Sequence, residues 1–182
     1  MKKTGIYPGT FDPITFGHVD VIKKALNIVD KLVVAVSNDN VKDYFFDIEE
    51  RVEIIKNTLF KDVKINKKKL IVVPFAALTV GICKKYKAFI VFRGLRAVSD
   101  FEYEFQLAGM NKKLDSRIET IFLMSNLENQ IISSKFVKEV ASFGGNIKKF
   151  ASTSVIKAIK SKLKWRKFYL FLFFFFIQPT FF

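Results

Sequence analysis

The chain predicts an α/β fold: a Rossmann-like, five-stranded parallel sheet with helices on both faces. Short, near-continuous apolar runs alternate along it with stretches of helical period, as parallel strands buried on both faces require. Its 182 residues suit one such domain with a sizeable core and are too few for two ordinary ones. No internal repeat interrupts the alternation.

The first strand covers Thr4–Tyr7 and runs through a Gly/Pro turn into a helix near His18–Val29. A second strand, Leu32–Ser37, leads to a helix over Glu49–Phe60. That helix opens on a capping box, Asp47 accepting backbone N–H bonds and Glu50 reaching back. Strand Leu70–Val73 precedes helix Leu78–Tyr86, and strand Phe89–Phe92 precedes helix Phe101–Leu114. Strand Thr120–Met124 closes the set, and helices near Ser134–Phe143 and Thr153–Leu163 follow. Right-handed crossovers between parallel strands put ligands above the strand carboxyl ends, at the switch point of the sheet.

Three segments fall at that edge. The first is GIYPGTFDPITFGH, Gly5 to His18. Gly9 admits close approach of backbone, Thr10 supplies a hydroxyl, and His18 stands in the first helical turn, where free N–H groups favour phosphate. The second is Phe92-Arg93-Gly94-Leu95-Arg96 after the fourth strand, with Glu104 on the next helix. Its two guanidiniums offer planar forks of donors that keep their charge. The third is Ile131-Ile132-Ser133-Ser134-Lys135 at a helix start, where serine hydroxyls and free N–H groups suit phosphate.

Composition narrows the classes. The formal charge is +14, but six cations, from Lys157 to Lys167, fall where there is no carboxylate, and without them the excess is +8. That remainder suits an anionic substrate. The lone Cys83 excludes an internal disulfide and fits a reducing cytosol. One His and one Cys cannot form spaced metal ligands, and no Gly-x-Gly-x-x-Gly opens the first helix, which disfavours NAD. The domain is therefore expected over residues 1–163. Residues 164–182, basic and then Phe-rich, are expected outside it. Phe168–Ile177 is ten apolar residues, against roughly 20 for a membrane-spanning helix, so membrane contact is not expected.

Thr15-x-Gly17-His18 resembles the (His/Thr)-x-Gly-His signature of nucleotidyltransferases, and RGLRAVSDFEYEFQLAGMN closely resembles the phosphopantetheine adenylyltransferase family. The third segment resembles that family's Ile-Ser-Ser-Ser/Thr-x-Val-Lys-Glu block, with Lys135 where a third hydroxyl is usual and Asn129 where an aromatic is usual. The likeness runs from residue 1 to about 160. It implies transfer of the adenylyl group of ATP to 4′-phosphopantetheine, giving dephospho-coenzyme A and pyrophosphate by direct in-line attack. Catalytic roles fall to His18, Lys42 and Arg96. ATP would meet Thr10, Phe11, His18, Gly94, Leu95, Arg96 and Glu104. On its other side it would meet Asn129, Gln130, Ile131, Ile132, Ser133, Ser134 and Lys135. The acceptor, 4′-phosphopantetheine, would meet Thr10, Lys42, Thr79 and Arg93. The family further implies Mg²⁺ accompanying ATP without direct protein ligands, a homohexamer, a cytoplasmic setting and no nucleic-acid partner. The rival readings are another small-molecule nucleotidyltransferase, a degraded adenylyltransferase, and a non-catalytic protein that binds membrane or nucleic acid through the tail.

Overall fold

Valine-, isoleucine- and leucine-rich segments with no polar face have to be covered twice, and the computed structural model shows how. It describes residues 2–38, 43–96 and 98–176, with 98–100 and 165–176 described by backbone alone. Strands β1 (Thr4–Gly9), β2 (Lys31–Ser37), β3 (Leu70–Phe75), β4 (Ile90–Leu95) and β5 (Glu119–Met124) form one sheet in the order β3-β2-β1-β4-β5. Every pairing is parallel. The order reverses between β1 and β4, which opens a crevice at the carboxyl ends of those two strands.

Alternation along the strands divides the core. Tyr7, Leu32, Val34, Val36 and Phe92 face α1 (Phe16–Leu26), α2 (Ile48–Asn57) and α7 (Thr153–Phe176), whose Ile22, Ile55 and Ile159 are fully buried against them. Ile6, Val33, Ala35 and Val91 face α3 (Thr79–Tyr86) on the other side, with Val80, Ile82 and Cys83. Helix α4 (Val98–Leu114) covers β5 through an edge-to-face contact of Phe101 with Phe122, centroids 5.7 Å apart. Helix α6 (Ser134–Ser142) buries Val137.

Strand ends reach further than apolarity alone predicts. β1 continues to Gly9, Pro8 pairing with Ala35 and Gly9 with Val36. β4 continues through Arg93, Gly94 and Leu95, in register with Phe122, Leu123 and Met124. The second segment is therefore the end of a strand rather than the loop after it, and pairing with β5 holds its polar residues extended. α1 opens at Phe16, two residues before the expected start. A four-residue helix, α5 (Leu127–Gln130), gives no periodic signal and was not anticipated. α7 runs on to Phe176, past the expected domain boundary at residue 163. Among the described residues no helix is long and apolar enough to cross a membrane.

The helix expected over Glu49–Phe60 changes character at its end. α2 stops at Asn57 and a π turn covers Thr58–Asp62, closed by Val63 N–H donating to the Thr58 carbonyl at 2.9 Å. Two polar contacts hold it against α7. The buried Thr58 and Ser152 hydroxyls lie 2.8 Å apart, and Ser154 N–H donates to Asp62 Oδ2 at 2.9 Å. Thr58→Val removes one hydroxyl of a buried pair and leaves Ser152 Oγ with the weaker contact to Val155 N–H at 3.5 Å, at a cost of about 1 kcal/mol. Urea denaturation is expected to show a lower midpoint with an unchanged slope.

Candidate active site

The crevice is a cleft of about 830 Å³ at the carboxyl edge of β1 and β4. It is bordered by Thr10, Phe11, His18, Thr79, Arg93, Gly94, Leu95, Arg96 and Glu104. Gln130, Ile131, Ile132, Ser133, Ser134 and Lys135 form its opposite side. Three sequence segments thus meet around one space. Lys42 lies outside the described residues. Asn129 does not border the cleft, because its amide turns to α1, Nδ2 donating to Asp20 Oδ2 at 2.6 Å. The Asn129 side chain is thus bound to α1 and lies off the lining of the cleft.

His18 is fixed by its place in the helix. Thr15 is the N-cap, extended at φ −123° and ψ 171°, and its N–H would be an orphan at this helix start. It donates instead to His18 Nδ1 at 3.0 Å, with Thr15 Oγ1 2.9 Å from the same nitrogen. A histidine thus fills the return arm that glutamate fills in an ordinary capping box. Because a backbone N–H can only donate, Nδ1 must be the acceptor and the ring proton sits on Nε2. Burial, reinforced by the positive charge of Arg96, lowers the His18 pKa to about 4. The ring is therefore a neutral donor at physiological pH. Phe11 holds it edge-to-face at 5.1 Å, and Tyr7 holds Phe11 in the same manner at 5.3 Å.

The Arg93 guanidinium grips both Glu104 oxygens at 2.5 Å, through Nε and Nη2, while Nη1 donates to the Pro8 carbonyl at 2.9 Å. β1, β4 and α4 are thereby tied at one point. Arg93 and Glu104, expected on separate ligands, form one partly buried pair. Tyr7 lies beneath Gly94, where a Cβ would come within 3.2 Å of the phenol oxygen, and burial raises the Tyr7 pKa. A side chain at Gly17 would likewise press on the Asn129 carbonyl at 3.1 Å, so α5 rests directly on the start of α1.

Comparison with known proteins places this arrangement. A cytidylyltransferase-like family model matches residues 6–140. The chain is 62% identical over 162 residues to phosphopantetheine adenylyltransferase of Pelagibacter ubique (strain HTCC1062), covering 89% of this chain and 99% of that protein. It is 44% identical over 161 residues to the enzyme of that name from Roseobacter denitrificans (strain ATCC 33942 / OCh 114), covering 88% and 97%. The chain belongs to the phosphopantetheine adenylyltransferase family. Plasmodium falciparum nicotinic acid mononucleotide adenylyltransferase complexed with NaAD superposes with a TM-score of 0.66 at 18% identity, over 88% of this chain and 96% of that one. At that identity the likeness is one of fold.

The adenylyltransferase cleft has supports that motif reading missed. Asp12 Oδ2 accepts from Phe45 N–H at 2.9 Å and from Lys138 Nζ at 2.8 Å, and Oδ1 accepts from Phe46 N–H at 3.0 Å. Arg51, only 1% exposed, donates to the carbonyls of Thr10 and Ser37 at 2.9 and 2.8 Å. It also reaches the Asp47 carbonyl at 3.3 Å and Asn38 Oδ1 at 3.2 Å, with its guanidinium 3.9 Å from the centre of the Tyr44 ring. Its signal was in the sequence. Arg51, Ile54, Ile55 and Thr58 follow the i, i+3, i+4, i+7 spacing of a buried stripe, so this cation had to point inward.

A single histidine makes the ring state directly readable. The ¹⁵N spectrum is expected to show one protonated and one unprotonated ring nitrogen, unchanged from pH 8 down to 5. The unfolded chain takes up this proton below about 6.5 and the folded chain only near 4. Over that interval the fold therefore loses stability as pH falls. A midpoint near 6.5 in the folded protein would remove the neutral-donor assignment.

Proposed function

We propose that this cleft transfers the adenylyl group of ATP to 4′-phosphopantetheine, releasing dephospho-coenzyme A and pyrophosphate. The observation that carries the reading is the His18 ring, neutral, pinned at Nδ1 and left with an Nε2 proton at the edge of the cleft. Such a group serves a reaction that needs an oriented hydrogen bond to developing charge, not one that needs a base.

The acceptor requires no base. A phosphate monoester is largely a dianion at neutral pH, its second pKa being about 6. Its oxygen attacks the α-phosphorus, a new P–O bond forms, and the bond to pyrophosphate breaks on the opposite side. What remains for the protein is alignment and charge neutralisation. His18 Nε2–H donates to an α-phosphate oxygen. Arg96 and Lys135, both bordering the cleft, supply positive charge to the triphosphate. Thr10 and Lys42 receive the acceptor phosphate, and Thr79 and Arg93 line the acceptor's side. Lys42 is assigned on resemblance alone.

Magnesium belongs to the substrate, as the ATP chelate that screens the leaving pyrophosphate. Glu104 is committed to Arg93, and the two oxygens of Asp12 to Phe45, Phe46 and Lys138. Among the described residues no group of three metal-ligating side chains occurs.

A homohexamer in the cytoplasm is part of the same proposal. Self-association is supported by exposed apolar side chains on α4, where Phe105 and Met110 are each more than 60% exposed.

The test is release of pyrophosphate from Mg·ATP on addition of 4′-phosphopantetheine, with nicotinamide mononucleotide and glycerol phosphate as competing acceptors. His18→Ala is expected to lower kcat about 10²–10³-fold while the KM for ATP moves only severalfold. The acid limb of the kcat profile is expected near pH 6, where the acceptor gains a proton, and not at an imidazole value. Turnover with either competing acceptor in preference to 4′-phosphopantetheine would replace this reading with another nucleotidyltransferase.

A further inference from the structure

A fully buried arginine normally has a carboxylate beside it, because an uncompensated charge away from water is costly. Arg51 has none among the described residues. Its partners are three backbone carbonyls, the Asn38 amide oxygen and the face of Tyr44. Such acceptors satisfy the N–H donors and leave the charge in place. The cation sits beneath the ends of β1 and β2, behind the first wall of the cleft, and does not border the cleft itself.

One of its bonds has a consequence on the far side. The Thr10–Phe11 peptide is trans, since the cis bond in this turn is Asp12–Pro13. A planar trans peptide points its C=O and its N–H in opposite directions. With the Thr10 carbonyl drawn back onto Arg51 at 2.9 Å, the Phe11 N–H is turned away from Arg51, and both Thr10 and Phe11 border the cleft. Phe11 is held there with φ at +48°, an unusual conformation for a bulky residue. Its N–H donates to no group among the described residues, although the residue is 1% exposed. A cation bonded to the carbonyl of a peptide polarises the unit and strengthens its N–H as a donor.

We propose that Arg51 is a positioning residue that presents the Phe11 N–H to a substrate phosphate by holding the carbonyl of the same peptide away from the cleft. The proposal rests on the reading that this cleft receives phosphorylated substrates. It adds to that reading a buried cation that touches no ligand and acts through one peptide unit. Lysine cannot replace it, because an ammonium lacks the fork that reaches the carbonyls of Thr10 and Ser37 with one nitrogen and Asn38 with another.

The first measurement uses the unaltered protein and inorganic pyrophosphate as probe. On titration the Phe11 amide proton is expected to move downfield, more than the amides of α3 or α7. An unmoved Phe11 amide under saturating pyrophosphate would overturn the proposal, whatever any variant does. The second compares Arg51→Lys with the parent, monitoring melting temperature alongside kinetics. Pyrophosphate affinity is expected to fall about tenfold, and the Phe11 response to shrink, in a protein that still melts cooperatively. Separate KM values then identify the source of the anion: a rise for ATP alone places a nucleotide phosphate on Phe11, and a rise for 4′-phosphopantetheine alone places the acceptor phosphate there. Unchanged pyrophosphate affinity and unchanged KM values in folded Arg51→Lys would make the arginine purely structural. If pyrophosphate moves Phe11 but no acceptor supports turnover, the assigned reaction fails and the anion-presenting role of Arg51 stands.

Discussion

The Asp12 carboxylate is the contact on which the shape of the cleft depends. It gathers donors from the segment after β2, through the Phe45 and Phe46 amides, and from α6, through Lys138. Without a shared acceptor these segments would leave two N–H groups and an ammonium unpaired near the core. Breaking a buried, hydrogen-bonded charge of this kind is among the costlier single changes a fold can suffer. Because Asp12 itself stands in the turn after β1, the same carboxylate places Thr10 and Phe11. Arg51 holds that turn through the Thr10 carbonyl, so one short loop is clamped by a buried anion and a buried cation that do not bond to each other. The pocket is thus positioned by polar contacts made below it, and Arg96 and Lys135 stand at its border.

Charge at the site is sorted by depth. Arg93 and Lys138 are neutralised by Glu104 and Asp12, and their work is to join elements. His18 contributes no net charge at all, since burial and Arg96 both oppose its protonation. A protonated ring here would bind ground-state phosphate more strongly, yet it would hold substrate and transition state alike. A neutral donor aimed by the helix cap is better suited to favour the extra charge that appears only as bonds exchange.

Much of this was legible because the relevant signals are local. Apolar runs and helical spacing marked all five strands and the long helices, and the residues of the three motifs converge where a doubly wound sheet must bind. What was missed has a common physical cause. The role of Asp12 depends on residues more than thirty positions away; helical spacing marks Arg51 as buried, but its partners are the ends of two strands, which its own segment does not announce. The extension of β4 to Leu95 depends on pairing with β5, which no property of Arg-Gly-Leu announces. The π turn at Thr58 answers to Ser152, which stands just before a helix almost a hundred residues later.

Asn129 shows how a departure from a family pattern can be absorbed. The Asn129 amide donates to Asp20 on α1. The same carboxylate oxygen accepts from Asn126 N–H at 3.3 Å, and one turn further on Lys24 Nζ donates to the Met124 carbonyl at 2.7 Å. Gly17, Asp20 and Lys24 therefore make a polar seat along one side of α1 for the segment that leaves β5. This side of the cleft is held by hydrogen bonds to the helix that carries His18. Any movement of α1 relative to that segment must break these bonds. His18 and the segment that leaves β5 are consequently joined through hydrogen bonds made by one helix.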